Sequence, residues 1–359
     1  MTAHLPLEQF VATVKTWQAG NADSYTDSPT IRMMSDGGVT FSARESKAGT
    51  PSPFGGVVNE ARGALLSYQG LGQLAERMDA PSLRWLGDPT HCPPALRAEI
   101  MNAIIATRPS RPLFMREHEG TLRAVLSDEY TRFDHQPFVD LVAQAVERSG
   151  VPAQVWRADV ADEMRAYVLL PSVTFGELPS ADGPGFGNGG LHPAIYISNS
   201  EIGTGKARVS GGVYRATCSN GMIYGWQADD VVGVRHIHIH ESALFAVIAS
   251  AVANGFKLSQ KAAEEFMASQ ETHLQPESLK SLVGEWTRKY GITVERGEDW
   301  LAAISTESAT YGRPDDPRLF DAVNALTFVA REKEPVEREL LERTAGDLLR
   351  TSSGYHQVE

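Results

Sequence analysis

Residues 194–217 read AIYISNSEIGTGKARVSGGVYRAT. Two runs with strand preference flank a turn. Ile195, Tyr196 and Ile197 are β-branched or aromatic, as are Val209, Val213, Tyr214 and Thr217, and such side chains suit a pleated, half-buried surface. Between the runs, Gly203 and Gly205 supply turn chemistry. Working outward, Met222 to Trp226 continues as a strand. Upstream, residues 175–190 hold six glycines and two prolines, too many for a regular element, which marks a long loop between strands. Earlier still, 153–158 and 164–171 read as neighbouring strands, and Leu122, Ala124 and Leu126 alternate with Arg123 and Val125 before a Ser127-Asp128 turn. Phe138, Leu141, Val142, Ala145 and Val146 form one helical stripe that stops at Gly150. The expected fold is α+β: an antiparallel, strand-rich core sheet with packed helices over residues 116–255.

The flanks read differently. Residues 1–115 form an N-terminal helical and irregular segment, with helices expected over 5–19, 58–78 and 94–107. Residues 21–56 are expected as loops, with one strand near Val39 to Ser42. Residues 256–359 form a helical, acidic region: a helix spans Ser242 to Gln270, breaks fall near Gln275, Gly291 and Pro314 to Pro317, and Leu340, Leu341, Leu348 and Leu349 form a limited apolar stripe. This third is expected as an appendage. There is no internal repeat.

Charge is unevenly spread. The net charge is −12, and residues 260–359 carry 12 Lys/Arg against 19 Asp/Glu, so most of the acidic excess sits there. Two cysteines in 359 residues exclude a disulfide framework and a four-cysteine zinc site. No apolar run approaches the roughly 18–20 residues of a membrane span, and residues 1–7 lack a secretory signal, so a cytoplasmic location without membrane association is expected.

Several motifs fail on their own chemistry. A phosphate loop needs Gly-x4-Gly-Lys-Ser/Thr; ahead of Lys206, Ser200 stands at the first glycine position and Ala207 replaces the metal-binding hydroxyl. Cys218 with Asn220 and His236 imitates a nucleophile and base, but a structural cysteine reads better. Asp128-Glu129, Asp162-Glu163 and Asp229-Asp230 read as turn residues. His236, His238 and His240 alternate along an extended run, giving an alternative reading as a metal-dependent nucleic-acid hydrolase. No cofactor is expected.

More informative is the interleaving of Tyr196, Tyr214 and Trp226 with Lys206, Arg208, Arg215 and Arg235. Cations neutralise phosphates while aromatic faces stack bases, which is how single strands are held without reading their sequence. These residues are therefore the candidate nucleic-acid contacts.

The run Ile195 to Gly203, with Asn199, Ser200, Glu201 and Gly203, is followed by Gly211 to Gly221, with Tyr214, Arg215, Cys218, Asn220 and Gly221. Together with Arg123, Ser127, Asp128 and Tyr130, and with Arg235-His236, these motifs resemble the phage- and plasmid-associated family termed domain of unknown function 932. The likeness covers roughly residues 60 to 250, and the helical C-terminal third departs from shorter members. It implies a role on a mobile element and assigns no reaction. A more remote likeness, in element order, is to phage single-strand annealing proteins. Taken with the interleaved cations and aromatics, the expectation is a homo-oligomeric, non-enzymatic DNA-binding protein that holds single strands and promotes annealing or recombination, with no catalytic residue assigned. A non-catalytic interaction or host-inhibiting protein is the other alternative.

Overall fold

The Ile195 and Tyr214 runs pair as a hairpin at the centre of a sheet. The computed structural model describes residues 5–43, 61–177, 190–215, 220–224, 232–234 and 241–352. The chain begins with β1 (Leu5–Pro6), α1 (Leu7–Ala19), β2 (Ser24–Asp27), β3 (Arg32–Met33), β4 (Gly38–Ser42) and β5 (Ala61–Leu66). Then come α2 (Tyr68–Arg77), α3 (Leu83–Leu86), α4 (Pro94–Thr107), β6 (Pro112–His118), β7 (Thr121–Ser127) and α5 (His135–Glu147). Strands β8 (Gln154–Val160), β9 (Glu163–Leu169), β10 (Phe175–Glu177), β11 (Gly190–Ser200), β12 (Ala207–Arg215), β13 (Asn220–Tyr224) and β14 (Val232–Val234) follow. The helices α6 (Glu241–Ala268), α7 (Leu279–Tyr290), α8 (Val294–Thr310), α9 (Leu319–Ala330) and α10 (Pro335–Ser352) complete it.

Two sheets result, and the α+β class holds. The first is antiparallel throughout, in the order β1-β8-β9-β11-β12-β13, with β10 added on β11 and β14 on β12. The second runs β2-β6-β7-β5-β4-β3, antiparallel except for the β5–β7 pair. Along β11, Ile195 and Ile197 join a core with α1, α5 and α6, whereas Tyr196 faces the opposite side with Trp156, Tyr167 and Tyr214. Alternation across a strand produces this division.

Two bulges decide where arginines point. Arg116 pairs with Ala124 and Glu117 with Leu122, leaving Arg123 as the extra residue on β7; Trp156 pairs with Tyr167 and Ala158 with Ala166, leaving Arg157 extra on β8. An extra residue bends the strand and re-aims its side chains. The simple alternation read for residues 122–126 therefore breaks: Leu122 and Val125 share one core while Ala124 and Leu126 share another. Arg157 adopts φ 50°, the left-handed region that a non-glycine residue enters only at a cost.

The expected helix over 58–78 is, within the described residues, strand β5 followed by α2, with Ser67 between them as a cap accepting from the Gly70 N–H at 2.9 Å. Strands β2 and β6 lie in stretches given no strand from sequence. The boundary at 115/116 falls inside β6, and the one at 255/256 falls inside α6.

Nor is the C-terminal third an appendage. Helix α6 lies directly on β11 and β12: a Cβ on Gly211 would come within 2.6 Å of Leu258, and one on Gly255 within 2.7 Å of Ile195. Glycine at both positions permits that approach. Ser259 fastens the contact, donating to Gly212 O at 2.5 Å and accepting from Ala194 N at 3.1 Å. Helices α7 to α10 share one apolar core with Leu191, Val213 and Met222 of the sheet. No described helix is long and apolar enough to cross a membrane.

Candidate functional site

Charged residues drawn from both sheets meet where the sheets abut. Arg116, fully buried, donates to Asp23 at 2.8 Å, to Asp134 at 2.6 Å and to the Glu201 carbonyl at 2.8 Å. The bulged Arg123 donates to the Glu201 carboxylate at 2.7 Å and to Asp162 at 3.1 Å. Glu201 also accepts from the His135 backbone N–H at 2.8 Å and from Asn21 at 3.2 Å. Burial opposes its charge, but the arginines and that N–H hold its carboxyl well below the ordinary range. Asp134 is likewise held low, despite burial, by Arg116, Arg132 and Gln18. Burial lowers the His135 imidazole, whose Nε2 donates to Ala161 O at 2.8 Å while Nδ1 accepts from Asn199 at 3.1 Å; both contacts fit the neutral ring.

Four of the family-motif residues within the described chain lie at or beside this junction. Arg123, Glu201 and Asn199 are its partners, and Tyr130 stacks on Phe114 beside it. Ser127 ends β7 and accepts from the Tyr130 N–H across a turn that includes Asp128. Gly203, at φ 78°, turns the chain where a Cβ would meet Leu126 at 2.8 Å. Ser200 closes the same turn by accepting from the Thr204 N–H at 3.2 Å.

Two depressions adjoin the junction and share Glu163 and Arg165. The larger, about 600 Å³, has Arg123, Asp159 and Asp162 in its lining together with a stacked Trp17–His118 pair at 3.8 Å. The smaller, about 210 Å³, is lined by Arg165, Lys206, Arg208 and Arg343 against Glu163 and Glu339, with the hydroxyl residues Ser198, Ser200 and Thr204. Register explains the convergence: Ser198 of β11 pairs with Arg165 of β9 on one side and with Arg208 of β12 on the other. With strands about 4.8 Å apart, the two arginine backbones stand roughly 10 Å apart across the sheet. Lys206 is half-buried, with no ion-pair partner among the described residues. Arg165 is bound by Glu163 at 2.5 Å and Glu339 at 2.6 Å; burial opposes its charge, but these carboxylates hold the guanidinium above its usual value.

The structure thus brings Lys206 and Arg208 together and separates them from the expected stacking partners. Tyr196 and Tyr214 are only 2% and 4% exposed, packed with Trp156, Tyr167 and Ile223. Helix α10 supplies acceptors for this face: Tyr196 donates to Glu339 at 2.8 Å and Tyr167 to Glu342 at 2.6 Å. Neither ring offers a face for a base. Arg215 closes β12 opposite Asn220, and Gly221 pairs with Tyr214, while the side chains of Arg215 and Asn220 lie outside the described set. Trp226, Arg235, Cys218, His236, His238 and His240 also lie outside the described residues. Among the described residues, no group of three His, Cys, Asp or Glu side chains is arranged to hold a metal ion.

Sequence reasoning missed Arg165, Glu339 and Arg343, and took Glu163, the first residue of β9, as a turn residue. The two-residue step from Tyr167 back to Arg165 places that arginine on the tyrosine face, which was a usable signal. Nothing local announced that Glu339 and Arg343, four apart on α10, would reach the same groove.

The architecture defines a two-sheet α+β protein with an arginine–carboxylate junction and a cationic groove at one end of its central strands. The chain belongs to the family described as Domain of unknown function (DUF932), whose model matches residues 123–344. That match begins at the bulged arginine and runs into α10, so the C-terminal helices are part of the family domain and not an addition to it. No curated protein and no solved structure matches the chain.

Proposed function

We propose that the groove lined by Arg165, Lys206, Arg208 and Arg343 holds the phosphate backbone of a single strand of nucleic acid, single-stranded DNA above all. The observation that carries this reading is the convergence of four cationic side chains and three hydroxyl residues on one depression of a protein whose net charge is −12. A locally cationic site on an acidic molecule directs an anion to one place. With Tyr196 and Tyr214 covered, the described groove offers its contacts to phosphates and not to bases, which makes those contacts indifferent to sequence. The depression's volume of about 210 Å³ is on the scale of the phosphate groups of one strand. A role on a mobile element belongs to the same proposal and is supported by the family likeness; annealing and homo-oligomeric assembly belong to it too and rest on the likeness in element order to annealing proteins.

The test is the double variant Lys206→Gln/Arg208→Gln titrated against a fluorescein-labelled oligothymidylate by polarisation. Removing two phosphate contacts should weaken binding and flatten the log–log salt dependence by about 1.4. Unchanged affinity and slope would remove these residues from the interface.

A further inference from the structure

We propose that Glu339 is a resident phosphate surrogate, a carboxylate that occupies the anion position of the groove and that incoming phosphate must displace. The inference rests on the phosphate-groove reading and specifies how that site is regulated. One oxygen of Glu339, Oε2, accepts from Arg165 Nε at 2.6 Å and from the Tyr196 hydroxyl at 2.8 Å. A fixed guanidinium N–H and a phenolic hydroxyl on one anionic oxygen are what a phosphate oxygen would also recruit. Arg343, one turn further along α10, lines the same groove from the same helix. On the opposite side Glu163 takes the remaining fork of Arg165 at 2.5 Å and also accepts from the Thr204 hydroxyl.

Displacing Glu339 does not require α10 to leave. Leu341, Ala345, Leu348 and Leu349 are all at most 1% exposed, and Arg157 anchors Glu342 at 3.0 Å one turn beyond. The competition is confined to the Glu339 side chain, which is 17% exposed. A single phosphate gains little by exchanging one anion for another at Arg165. A ligand with adjacent phosphates engages Lys206 and Arg208 as well, so the groove favours pyrophosphate or a strand over inorganic phosphate.

The experiment compares wild type, Glu339→Gln, Glu339→Ala and a charge-matched control, Glu277→Gln, which lies on an exposed turn outside the groove. Inorganic phosphate and pyrophosphate are titrated by calorimetry, oligothymidylate by polarisation, and folding is checked by thermal unfolding. Glutamine keeps an acceptor for Arg165 and Tyr196 while removing the competing charge. The expected result is about tenfold tighter binding of pyrophosphate and of the strand by both Glu339 variants, with the control within about twofold of wild type. Wild-type binding that neither variant improves, or equal improvement by Glu277→Gln, would overturn the proposal. Absence of binding by every protein, Glu339→Gln included, would overturn the phosphate-groove reading itself, and the two failures are thereby distinguished.

Discussion

Glu342 sets a pH dependence that can be worked from the structure. The side chain is buried beneath α10, with Arg157 at 3.0 Å and the Tyr167 hydroxyl at 2.6 Å. Burial pushes its carboxyl from the ordinary 4.5 up to about 7, against the pull of Arg157, the Tyr167 hydroxyl and Arg338. Because the folded value is raised, the unfolded chain releases this proton first as pH rises. Folding is therefore most favoured, as far as this group is concerned, below about pH 4.5, and the advantage is lost as pH climbs to about 7. The shift corresponds to about 3 kcal/mol at most. Glu342→Gln, which keeps an acceptor without a titrating proton, should abolish this term. Urea midpoints of wild type and variant, measured from pH 4.5 to 8, should diverge steadily, with the variant relatively more stable at the alkaline end. A difference between the two proteins that stays flat across that range would refute the burial argument.

The junction between the sheets gives further expectations. Arg116→Met leaves Asp23 and Asp134 buried without their main cation, and a loss of about 3–5 kcal/mol in urea unfolding is expected. Asp134 and Glu201 are held below their usual values and His135 is lowered, so their combined contribution is lost as pH falls, first through the ordinary histidine value and then through that of carboxylates. Glu201→Gln should blunt the acid limb of a thermal-unfolding profile relative to wild type. Gly211→Val sets side-chain atoms against Leu258 and the Gly255 carbonyl of α6, and a drop of at least about 1–3 kcal/mol in stability is expected from calorimetric unfolding.

How much of this was legible in the chain depends on the range of the interactions involved. The strand pairs around the Ile195 and Tyr214 hairpin, the Pro94 helix and the Gly150 stop all follow from local periodicity and turn chemistry. Strand β5 was hidden because Leu65 and Leu66 continue the apolar spacing of α2, and only pairing with β4 and β7 makes it extended. The bulges at Arg123 and Arg157 have no local signature, since an extra residue exists only relative to a partner strand. The tyrosines were assigned outward because a strand's alternation says which residues share a face and not what covers it. Here a helix more than 120 residues further on reaches the Tyr196 hydroxyl and supplies Glu339 as its acceptor, while Tyr214 packs with Trp156 and Ile223. Lys206 and Arg208 were found because they sit at the hairpin turn, while Arg165 and Arg343 needed the fold to join them.

The claim that the groove engages the phosphates of a single strand is tested most directly by the salt dependence of binding. Polarisation titrations of labelled oligothymidylate between 50 and 200 mM salt should give a straight log–log plot with a slope of about −2 to −3, as three to four phosphate contacts require. Duplex of the same length should bind more weakly. No binding at the lowest salt, or binding that salt leaves unchanged, would contradict it.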